Sequence, residues 1–217
     1  MIMLRSLVSN IGAKFRTIFK LDPPQPITSI DEAQRYLAGT SAYISQFTLY
    51  AYVKARAGTR FPELFENETY LTSLKIARWH IFAACLSDLC LYFGARLAAQ
   101  ARCPAEECAR ITAELMGAAL ADQEQEDIPL ADLLAYLPLY QDRVSQIDWF
   151  SYAVGPDAFT NSPEALMKWA PIDEGMKAQD AGNVTHNLAM RWKHIRAELV
   201  QRLEADAVID DAKKSTS

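Results

Sequence analysis

The sequence predicts an all-α protein: an irregular bundle of about five to seven helices around a central apolar helix, near residues 70–101, with an amphipathic helix in front. Three observations carry this. Apolar residues recur at helical spacing through most of the chain. Convincing strand alternation is absent. Prolines and capping residues punctuate the sequence at helix-length intervals.

The N-terminal element comes first. In residues 1–22, Leu4, Leu7, Val8, Ile11, Phe15, Ile18 and Phe19 share one sector of a helical wheel, while Arg5, Arg16 and Lys20 fall opposite. With Lys14, these cations stand in a stretch of twenty-one residues that holds no acid. A basic amphipathic helix of this kind suits an anionic membrane interface, apolar face down. The same pattern would also serve for docking on another protein or on its own domain. Its acid-free composition matches an organelle import peptide as well, the alternative location to a cytoplasmic protein peripheral to a membrane.

Pro23, Pro24 and Pro26 end that helix and make residues 23–28 a stiff spacer. A helical domain over 29–205 should follow, with residues 206–217 as a frayed tail. Within the domain, Ser29 or Asp31 caps the first helix and Gly58 stops it. Asn67–Thr69 opens the central helix, apolar on nearly every side between Ile76 and Phe93. Pro104 with two following acids starts a helix reaching about Ala121. Pro129 opens the next, to roughly Asp148, bent or interrupted at Pro138. Residues 149–185 read as turns and one short helix near Pro163. A last helix spans about Thr185–Ala205, facing the body through Leu188, Trp192, Ile195, Leu199 and Leu203.

Charge narrows the function. The chain carries -5 overall, of which the first twenty-one residues contribute +4. Residues 103–148 hold ten acids against Arg110 and Arg143 alone. Such a surface repels phosphates, so no nucleic-acid partner is expected. No unbroken run of about eighteen apolar residues points to a membrane span, and the interleaved charges of the N-terminus do not fit a secretory signal.

Candidate chemistry is sparse. Cys85, Cys90, Cys103 and Cys108 form C-x4-C-x12-C-x4-C, but five residues along a helix turn the first pair about 140° apart, which suits buried apolar thiols better than a zinc site. His186 and His194 miss the helical metal spacing, so neither metal nor cofactor is expected. His80, Ser87 and Asp88 share one helix, whereas a hydrolase triad needs convergence from separate elements. They form either a pocket or a buried polar network. A buried Asp88 requires a partner. The candidates are Arg35, Arg56, Arg60, Arg191, a tyrosine hydroxyl, His186 or His194. Tyr36, Tyr43 and Tyr50, seven apart, form an aromatic stripe suited to core or interface.

The expectation is therefore a non-enzymatic adaptor, scaffold or assembly factor, peripheral to an anionic membrane or bound to another protein through its N-terminal helix. The alternative is a ligand-binding or catalytic bundle with a pocket near His80 and Asp88. A homo-oligomer joined through the N-terminal helix is a third arrangement.

Overall fold

The computed structural model describes residues 25–122 and 129–215. The amphipathic stretch 1–22, Pro23, Pro24 and the acidic run beyond Asp122 lie outside the described residues.

Helix α1 (Ile30–Ala57) starts where the Ser29 hydroxyl accepts from the Glu32 N–H, with Asp31 and Glu32 favourably placed in its first turn. It stops at Gly58, whose φ of 55° is open to glycine without strain. Two short 3-10 turns, Gly58–Arg60 and Glu63–Glu66, lead into α2 (Glu68–Ala101), capped by Asn67 through the Tyr70 N–H. Every residue from Ile81 to Ala95 is buried, as a helix apolar all round must be. By length and composition α2 could cross a membrane, yet 94% of its apolar window is covered by the rest of the chain.

Arg102, in the left-handed conformation, turns the chain into α3 (Ala105–Ala121). The next expected helix is two: α4 (Leu130–Leu134) and α5 (Tyr136–Val144). Pro138 explains the break, because it has no N–H for the carbonyl of Leu134 and so opens the ladder one turn upstream of itself. A single turn, α6 (Trp149–Tyr152), follows. Its Trp149 presses on α2 at Gly94, where an added Cβ would stand 2.4 Å from the indole. Helix α7 (Asn161–Trp169) also packs on α2.

Helix α8 (Glu174–Arg202) begins eleven residues before the expected Thr185. Its early part is poor in apolar residues and contains Gly175 and Gly182, which hides it from a periodicity argument. It forms because Asp173 caps the Met176 N–H, and because Lys177 and Asp180 reach outside partners.

The ends of the body correct two expected boundaries. Residues 205–215 are not frayed but form α9 (Ala205–Ser215), which buries Val208, Ile209 and Ala212 against α1 and α2. The end of the proline spacer is not free either. Ile27 is buried and pairs in parallel with Leu203, its N–H on the Arg202 carbonyl at 2.7 Å and its carbonyl taking the Glu204 N–H at 3.0 Å. The Ile30 N–H then bonds the Asp211 carboxylate at 2.9 Å.

Candidate functional site

Asp88 has no exposed surface, and its partner is none of those the sequence suggested. Arg143 of α5 places Nη2 3.0 Å from Asp88 Oδ1. The backbone N–H groups of Asn161 and Ser162 donate to the same carboxylate at 3.2 and 2.8 Å. These are donors that a helix leaves unpaired in its first turn. Thr160, at the cap position of α7, makes no side-chain cap bond. Asp88 therefore caps α7 from another helix, and its negative charge sits at the positive end of that helix's dipole.

The arrangement extends in three directions. Arg143 Nη1 donates to the Ser87 hydroxyl at 2.6 Å, and its Nη2 reaches the Ala158 carbonyl at 3.1 Å and the Thr160 hydroxyl at 3.3 Å. The indole N–H of Trp192, from α8, donates to the Ser162 hydroxyl at 3.0 Å. One junction thus joins α2, α5, α7 and α8. Burial pushes the Asp88 carboxyl up to about 6, with Arg143 and the α7 donors restraining the rise. With both oxygens engaged and no solvent access, Asp88 is placed to hold helices together rather than to accept a proton from a substrate.

His80 does not join Ser87 and Asp88. Two turns earlier on α2, its Nδ1 lies 2.6 Å from the Tyr136 hydroxyl, and its ring stacks on Trp169 at 3.5 Å between centroids and 11° between planes. Burial, helped by Lys168 and opposed by Asp132, lowers its pKa. The structure brings Ser87 and Asp88 into one polar network and puts His80 in an aromatic stack outside it.

All four cysteines are buried free thiols, and burial pushes Cys85 and Cys90 well above the usual thiol range. Among the described residues no group of three or more His, Cys, Asp or Glu is placed to hold a metal ion.

An open groove of about 670 Å³ lies elsewhere, between α1 and α8. Phe47, Ala51, Val184 and Leu188 supply apolar lining, and His194 stands among the polar residues. Arg56 forms a two-point ion pair with Asp180, which also accepts from the Tyr52 hydroxyl at 3.0 Å. The Arg191 guanidinium lies 3.6 Å from the centre of the Phe47 ring.

Sequence reasoning missed Arg143 and this groove. Arg143 did carry a signal: it is one of only two bases in the acidic stretch 103–148, and a lone cation there is conspicuous. The groove had none, since it needs α1 and α8 side by side, and Asp180, Asn183 and Val184 of its wall belong to the early part of α8.

No family model matches the chain, and neither a curated protein nor a solved structure matches it significantly. The class the fold defines is an all-α bundle wrapped around one buried helix and locked by an interhelical carboxylate cap.

Proposed function

We propose that the protein is a non-enzymatic helical adaptor or assembly factor, held peripherally at an anionic, cytoplasm-facing membrane surface by residues 1–22. The observation that carries this reading is the segregation of charge and apolarity along the chain: a +4 amphipathic stretch precedes a body of charge -9. The engagement of Asp88 within the fold is in keeping with it, because the body's most buried charge is spent on packing. A second reading, a small-molecule binder, moves from the neighbourhood of His80 and Asp88 to the α1–α8 groove, where Arg56, Arg191 and His194 line a partly apolar space.

The test is co-sedimentation of the full chain with vesicles of phosphatidylcholine alone or containing phosphatidylserine. Each Lys or Arg near such a surface contributes about 1 kcal/mol. Binding should need the anionic lipid, weaken with salt, and fall at least tenfold in Lys14→Glu/Arg16→Glu. Equal binding to neutral and anionic vesicles, or none at low salt, overturns the proposal.

A further inference from the structure

We infer that residues 4–20 also have a docking place on their own body: the groove between α3 and the α5–α6 segment. This groove, about 500 Å³, is lined by Ala109 and Ala113 on one side and Val144, Ile147 and Trp149 on the other. Just after Trp149 in sequence, Phe150 and Val154 are exposed, at 59% and 85% of their full surface.

Charge selects the occupant. Helix α3 carries Glu106, Glu107 and Glu114 around the groove, and its Arg110 is bound to both Glu107 and Glu114. Asp142 and Asp148 belong to the facing segment of the chain, whose one base, Arg143, is turned inward to Asp88. An apolar trough with acidic banks calls for a helix that is apolar on one face and basic on the flanks. Residues 4–20 have that pattern, with Leu4, Leu7, Ile11, Phe15 and Ile18 for the trough and Arg5, Lys14, Arg16 and Lys20 for the banks.

The reach is sufficient. The described chain begins at Gln25, whose carbonyl is held by Arg202 at 2.8 Å, beside the start of α9. At the far end of α9, Lys213 is near enough to help Arg110 hold the Glu107 carboxyl below its usual range. From Ala205 to Lys213 the helix spans about 12 Å. Residues 21–24, extended at about 3.1 Å each, cover about the same distance. The groove's α3 wall, from Ala105 to Ala113, is about 12 Å long and would seat about two turns of that segment as a helix.

The dock is independent of lipid, and its test uses none. In the full chain, Ala109→Cys places a thiol in the groove, while the native cysteines stay buried and slow to react. Labelling by a maleimide should be at least tenfold slower with the native N-terminus than with Ile11→Asp/Phe15→Asp. A control thiol at Met190→Cys on α8 should label equally in both backgrounds. Lys14→Glu/Arg16→Glu should speed Ala109→Cys labelling, and adding Glu107→Lys/Glu114→Lys should slow it again. That rescue separates docking from a general loosening of the fold. Equal Ala109→Cys rates in the two backgrounds overturn the inference. Protection that disappears on dilution also overturns it, because the segment would then come from a second copy.

Discussion

Helices α2 and α8 are similar in length, 34 and 29 residues, and opposite in how they are held. Twenty residues of α2 are buried, spread round its whole circumference, against Lys177, Leu188, Trp192 and Leu199 alone in α8. One helix is stabilised by area removed from water, the other by a few anchors at intervals. Two of these anchors are polar as well as apolar. Trp192 ends on the Ser162 hydroxyl, and the Lys177 ammonium sits on the Lys168 carbonyl at 3.2 Å and on Glu174 at 2.8 Å. A helix with mostly solvated sides keeps most of its surface available for binding.

The widest effects should come from residues that both helices treat as fixed points. Phe82→Ala in α2 and Trp192→Ala in α8, each about 1% exposed, should cost about 3–5 kcal/mol in urea unfolding. Asp88→Leu should cost about as much, since it leaves Arg143 without its carboxylate and two N–H groups of α7 without an acceptor. A Trp192→Ala cost under 1 kcal/mol would show that α8 is not anchored as described.

A middle-sized effect depends on pH. The unfolded Asp88 carboxyl titrates near 3.8 and the folded one near 6, so between those values the native state keeps a proton that the unfolded chain releases. Its contribution to stability is complete below pH 3.8 and is lost as pH rises through about 6, by up to about 3 kcal/mol. Asp88→Asn has nothing to titrate there. The stability of the native protein minus that of the variant should therefore fall between pH 4.5 and 7.5. A rise over that range would mean that Arg143 outweighs burial.

The smallest effect sharpens the contrast. Met190 and Val200 of α8 are 44% and 40% exposed, and their replacement by alanine should shift stability by no more than about 0.5 kcal/mol. Losses above about 2 kcal/mol would place a covered face where solvent is expected.

The fold was legible wherever burial left a periodic trace. The caps at Ser29 and Asn67, the stop at Gly58 and the all-round apolar α2 follow from residues near one another in sequence. What escaped depends on distant partners. Asp88 signalled that a cation was needed but not which one, because Arg143 approaches from α5, 55 positions away. The opening of α8 is held by Asp180 reaching Arg56 and Tyr52 on α1, which no local pattern encodes. The tail, which ends in Lys-Lys-Ser-Thr-Ser, was expected to fray. Yet Val208, Ile209 and Ala212 form a stripe narrow enough to be overlooked and wide enough to dock.

The pairing of Ile27 with Leu203 has a mechanical consequence. Any pull transmitted from the first twenty-four residues enters the body at that point, through two backbone hydrogen bonds to the link between α8 and α9 and the Arg202 contact on Gln25. The load is carried between chain segments about 175 residues apart in sequence. A tether attached there tugs on the outer helix and the last helix before it reaches α2. The bond most exposed to strain would thus yield at the seam between the chain's two ends, leaving the carboxylate-capped interior undisturbed.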